Sequence, residues 1–273
     1  MSQRSKRLVV VLAAAVAASL VSTAVATAAR IVGDGGSDRL TGTYRHDLIV
    51  ARGGDDTVAA LAGWDVVLGG AGNDTVQGGT GFDLIIGNAG DDHLGGGPGC
   101  DRIFAGAGND SLGGGAGFGF RRLRCERLHG GAGNDTSTGG PGRDFMSGGR
   151  DDDLQYGGEG SDKIFANQGR DASYGGDGND VLWALSRKDV TAIGDTEGDE
   201  LFGGDGHDRF RIRDGEADRV HCGDGRDDVL ADQFDQVDND CERVIRRDIT
   251  SLDQVQDQEE NETEDPSQDH EEG

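Results

Sequence analysis

The chain has 273 residues, 50 of them glycine, with 34% hydrophobic and 5% aromatic residues, a poor stock for a conventional core of this length. Three prolines, and glycine that does not recur at every third position, exclude a collagen-like rod. Its 26 basic and 52 acidic side chains give a net charge of −26, which repels nucleic acid and favours a small cationic partner.

Arg4, Lys6 and Arg7 precede an apolar run from Leu8 to Val25, and small residues follow at Ala24-Val25-Ala26 and Ala26-Thr27-Ala28. This order predicts a secretory signal peptide over residues 1–28. An uncleaved anchor is the competing reading, because the apolar stretch reaches about 20 residues. No paired arginines mark the export route for folded proteins. The chain is therefore expected to leave the cell unfolded, to be extracellular, and to have no membrane contact after cleavage. Losing those three cations takes the net charge from −26 to −29.

From Gly33 onward the text repeats. Gly69-Gly70-Ala71-Gly72-Asn73-Asp74-Thr75-Val76-Gln77 runs directly into Gly78-Gly79-Thr80-Gly81-Phe82-Asp83-Leu84-Ile85-Ile86. Both fit G-G-x-G-x-D-x-U-x, where U is a large apolar residue. Steps of nine place Asp38, Asp47, Asp56, Asp65, Asp74, Asp83, Asp92, Asp101 and Asp110 in one phase. After a slip the phase resumes at Asp135, Asp144, Asp153, Asp162, Asp171, Asp180 and Asp189, then continues through Asp199, Asp208, Asp218 and Asp227 with two one-residue insertions.

The glycine half of each nonapeptide suits a turn, because glycine accepts positive φ and close backbone approach. The D-x-U-x half suits a short strand with U on one side. Two nonapeptides then make one coil of a flattened helix, and some eleven coils stacked about 4.8 Å apart give a rod on the order of 50 Å. The U residues Leu40, Ile49, Val58, Val67, Val76, Ile85, Leu94, Ile103 and Leu112 form a thin core. Aspartates eighteen residues apart, such as Asp74 and Asp92, reach adjacent heights and repel unless a cation lies between them. About fifteen calcium ions would add about +30, near the charge of the mature chain. Magnesium, which sheds water reluctantly, fits less well. Folding and metal binding are expected to be one event.

These nonapeptides resemble the RTX, or haemolysin-type, calcium-binding repeats over about residues 33 to 245. The resemblance implies an all-β fold, a calcium-loaded parallel β-roll. It also implies multiple calcium ions between successive turns, held by the twenty phase aspartates and by carbonyls of the glycine turns.

Two segments break the rhythm. Cys125-Glu126-Arg127-Leu128 and Cys241-Glu242-Arg243-Val244 both carry glutamate at the aspartate position. They suggest two repeat units, 30–129 and 130–245, followed by a disordered acidic tail over 246–273. Four cysteines in an exported chain suggest two disulfides, for which three connectivities exist. The repeat phase favours Cys100–Cys125 and Cys222–Cys241, with a metal site as the competing reading. In the second unit the U positions Ser137, Gln155, Ser173 and Thr191 are polar and line one wall, which predicts a looser second sheet with Tyr156 above Tyr174 as an exposed contact strip.

No H-E-x-x-H, G-x-S-x-G or P-loop spacing occurs, and the repeats leave little chain for a catalytic domain. The expectation is a non-enzymatic, secreted calcium-binding protein, structural or adhesive, with an unidentified surface or matrix partner. The alternative is a non-catalytic component of a toxin or secreted hydrolase system.

Overall fold

The computed structural model describes residues 28–115, 126–184 and 198–249. The signal segment, all of the tail beyond residue 249, Cys125, Asp189 and Thr191 lie outside these residues.

Two parallel sheets face each other. One has 12 strands, from Ala29–Val32 to Arg243–Arg246, and the other has 11, from Arg39–Thr41 to Gln236–Val237. The chain alternates between them, so each strand pairs with the one two nonapeptides further on: Leu40 beside Val58 in one sheet, Ile49 beside Val67 in the other. This is the expected parallel β-roll, two nonapeptides to a coil. No helix occurs among the described residues.

Side-chain alternation sends every expected U residue inward. Leu40, Ile49, Val58, Val67, Val76, Ile85, Leu94, Ile103 and Leu112 are buried in one cluster, which Leu128, Met146, Ile164, Leu182, Leu201, Phe210 and Val220 extend. The hydrogen-bonded order passes through the first Cys-Glu-Arg-Leu segment without a break, Ile103 beside Leu128 and Leu128 beside Met146.

The polar wall differs from its expectation in one respect. Ser137, Gln155 and Ser173 are buried in place of U residues, and the Ser173 hydroxyl donates to Gln155 Oε1 at 3.0 Å. Strands of this sheet do not shrink there. They lengthen from three residues at Thr75–Gln77, His93–Gly95 and Ser111–Gly113 to seven at Thr136–Gly142, Leu154–Gly160 and Ala172–Gly178. The seven-residue length continues over Glu200–Gly206 and Arg219–Gly225, whose inward residues Leu201 and Val220 are apolar, so it is not confined to the polar wall. Outside, Tyr156 stacks on Tyr174 at 4.9 Å as expected, and Phe202 and His221 continue the stack at 4.5 Å per step.

The second glycine of each turn has positive φ, as at Gly79 (107°). Leu61 occupies the same position at φ 84°, where a Cβ costs about 1–2 kcal/mol. Leu61→Gly is expected to raise stability by about 0.5–1 kcal/mol after the entropy that glycine adds to the unfolded chain. A denaturant midpoint in saturating calcium reads the change.

Cys222 and Cys241 form the expected disulfide, 19 residues apart. Cys100 is also disulfide-bonded, and its expected partner, Cys125, lies outside the described residues. Cys222→Ser is expected to cost about 3 kcal/mol, the loop-closure value for such a span, with hydrogen exchange rising first in Gln236–Val237 and Arg243–Arg246.

Candidate calcium centre

Each phase aspartate sits between a glycine turn and the strand that follows it. One column, along one edge of the roll, contains Asp38, Asp56, Asp74, Asp92, Asp110, Asp135, Asp153, Asp171, Asp199 and Asp218. The other contains Asp47, Asp65, Asp83, Asp101, Asp144, Asp162, Asp180, Asp208 and Asp227. All are buried. Within a column each Oδ1 accepts the backbone N–H of the residue one coil earlier: Asp56 N–H to Asp74 at 2.9 Å, Asp74 N–H to Asp92 at 2.8 Å.

Glu126 takes the aspartate place in the second column, as its phase predicts. It accepts the Asp101 N–H at 2.7 Å and passes its own to Asp144 at 2.9 Å. Glu242 ends that column by accepting the Asp227 N–H at 2.9 Å. The Asp171 N–H reaches Asp199 and the Asp180 N–H reaches Asp208, each 28 residues on, and Asp189 lies outside the described residues.

The second oxygen of each carboxylate defines the chemistry. Oδ2 of Asp56, Asp74, Asp92, Asp110, Asp135 and Asp153 on one edge, and of Asp65, Asp83, Asp101, Asp144, Asp162 and Asp180 on the other, is buried without a hydrogen-bond partner. Such an oxygen is costly unless a proton or cation meets it. Asp38 and Asp47, at the start of the ladders, differ. Their Oδ2 atoms accept the N–H of Asp34 at 2.7 Å and of Thr43 at 2.6 Å, so the chain itself satisfies them.

Where a glycine stands five residues before the aspartate, as at Gly78 and Gly139, a carbonyl of the following coil adjoins the orphan oxygen. A methyl built on Gly78 would lie 2.6 Å from Asp83 Oδ2 and 2.8 Å from the Gly96 carbonyl oxygen; on Gly139 it would lie 2.7 Å from both Asp144 Oδ2 and the Gly157 oxygen. Carboxylate and carbonyl oxygens therefore converge beside the first glycine of the turn, with no donor between them. That donor set, all oxygen and partly anionic, fits calcium.

Burial raises the carboxyl pKa values, and the charges of ladder neighbours raise them further, while the N–H from the preceding coil offsets part of the effect. Asp92, Asp101, Asp135 and Asp180 are raised to about 7, and Asp153, Asp162 and Glu126 to about 8.

A family model for the RTX calcium-binding nonapeptide repeat matches residues 32–67, 41–76, 68–100, 96–120, 126–155, 156–182 and 191–211, more than half of the chain. The chain belongs to the RTX family. No curated protein matches it. RTX membership implies calcium binding, and the two columns of buried aspartates agree with that. The RTX roll is a structural calcium-binding fold and is not typically catalytic.

Two features escaped the reading by period. On one edge an outer ladder runs through the residue before the aspartate: Asn73 N–H to Asp55, Asp91 N–H to Asn73, Asn109 N–H to Asp91. The frequent Asn or Asp at that place was its visible signal. Beyond the last matched repeat, Asp214, Glu216, Asp232 and Asp235 are buried as well. For Asp214 and Glu216 the signal was acids standing where the phase asks for glycine.

Proposed function

We propose that this protein is a secreted RTX roll that folds on loading calcium outside the cell and acts there as a rigid structural or adhesive element. The paired ladders of orphan carboxylate oxygens carry the reading. Without a cation they place many buried charges in two lines, and with one they become the contacts that join coil to coil. Low cytosolic calcium would leave the chain unfolded for export, in keeping with its N-terminal segment. Calcium would then be held by the phase aspartates and the first-glycine carbonyls.

The test is far-UV circular dichroism of the metal-stripped chain during calcium titration, together with detection and N-terminal sequencing of the protein in the extracellular fraction. A cooperative rise of β-structure with calcium, much weaker with magnesium, is expected, along with an N-terminus near residue 28. A spectrum indifferent to calcium would overturn the folding role, and retention in the cell the extracellular one.

A further inference from the structure

The turn leading into Asp218 departs from the repeat. Asp214-Gly215-Glu216-Ala217-Asp218 sets acids at alternate positions, past residue 211, where the last matched repeat ends. Asp214 and Asp218 are 0% exposed and Glu216 2%. One carboxylate oxygen from each lies within 4.8 Å of the others.

Neighbouring acids hold this loop in shape. Asp232 accepts the N–H of Gly215 at 2.9 Å through one oxygen and that of Phe234 at 2.8 Å through the other. Asp235 accepts the N–H groups of Asp232 at 2.6 Å and Asp218 at 3.3 Å. Both oxygens of each are thereby engaged as a scaffold. Glu216 N–H donates to Asp214 Oδ1 at 3.1 Å, which orients the pair.

A separate observation points to a ligand. Asp218 uses Oδ1 to accept the Asp199 N–H at 2.8 Å, yet its Oδ2 is fully buried with no donor. Asp199 Oδ2, one coil earlier in the ladder, is in the same condition. The repeat sites offer one carboxylate against glycine carbonyls; here three carboxylates face one space and the glycine pattern is missing.

We propose that Asp214, Glu216 and Asp218 form a calcium site built from side-chain carboxylates near the C-terminal end of this ladder. The donor set contains only hard oxygens, with no imidazole or thiolate, and so favours calcium over transition metals. Affinity for calcium rises with the number of charged ligands on a rigid site, so this site fills before the glycine-carbonyl sites and seeds folding from the C-terminal coils. The inference rests on the calcium reading of the ladder.

Calorimetric calcium titration and native mass spectrometry of the full metal-stripped chain test it, with Glu216→Gln and the double variant Asp214→Asn/Glu216→Gln. Both variants are expected to hold one ion fewer and to lose the tightest affinity class by at least about ten-fold, while circular dichroism still shows the calcium-induced β-signal. A wild-type chain that binds no calcium would overturn the ladder reading as a whole. A wild-type chain that binds calcium, with variants holding the same number at the same tightest affinity, would overturn this site alone. Should the double variant fail to gain β-structure, Glu216→Gln, which keeps the shape of the side chain, decides between the same two outcomes.

Discussion

Stripped of metal, the chain is expected to gain β-structure when the pH falls from about 8 to about 4.5, and calcium is expected to restore it at pH 8. An aspartate in the unfolded chain titrates at about 3.9. In the roll, burial foremost raises Asp56, Asp65, Asp144 and Asp208 to about 6, Asp92, Asp101, Asp135 and Asp180 to about 7, and Asp153 and Asp162 to about 8. The folded state thus binds more protons than the unfolded one across that window. The stability linked to those protons is fully present below about 4 and is lost as the pH rises through about 6 to 8. At pH 8 the metal-free roll would hold two lines of buried anions, and it unfolds. Calcium replaces the proton as the partner of Oδ2. Each site filled at a hundred times its Kd adds about 2.7 kcal/mol, so a handful of sites exceeds the whole stability of an ordinary domain. Circular dichroism of the metal-stripped chain at both pH values, then with calcium at pH 8, reads this directly. A metal-free chain equally unfolded at both would show that proton and cation do not compete for the same oxygens.

Much of the roll was legible because the period dictates it. A five-residue glycine turn and a strand of period two leave the U residue only one side to face, so Leu40 through Leu112 could be assigned to the core from their spacing. The same arithmetic put Asp74 beside Asp92 and Tyr156 beside Tyr174. What escaped depended on contacts between coils. Counting by nines does not give the step of 28 by which parallel pairing of Ala172 with Glu200 carries the ladder from Asp171 to Asp199. The hydrogen bond of Ser173 to Gln155 is made across a coil, and local pattern does not encode that meeting. Asp214 and Glu216 went unnoticed because a search for glycine passes over whatever replaces it. The fold brings their carboxylates together with that of Asp218.

Glycine also sets the closest approach between coils, and Gly178→Ala is expected to be among the most damaging single changes in the roll. Gly178 stands two residues before Asp180 with φ 147°, and a Cβ there would strike the backbone carbonyl of Gly160 in the preceding coil. The collision repeats along the stack, Gly160 against Gly142 and Gly206 against Gly178. Backbone meets backbone, so no side chain can rotate out of the way. Relief requires the coils to part, which breaks strand hydrogen bonds at about 1 kcal/mol each in addition to about 1–2 kcal/mol for the left-handed residue. A loss of about 4 kcal/mol or more is expected. Gly113→Ala is the control, since nothing lies within 4 Å of its added methyl, and it is expected to be neutral or to gain about 0.5–1 kcal/mol from reduced chain entropy. Gly139→Ala separates spacing from metal binding. Its φ is not left-handed, but its methyl would sit 2.7 Å from both Asp144 Oδ2 and the Gly157 oxygen, so it is expected to raise the calcium concentration for half-folding more than it lowers the denaturant midpoint in saturating calcium. Equal behaviour of Gly178→Ala and Gly113→Ala would mean that the coils tolerate wider spacing, and that the glycines serve the turn alone rather than the stack.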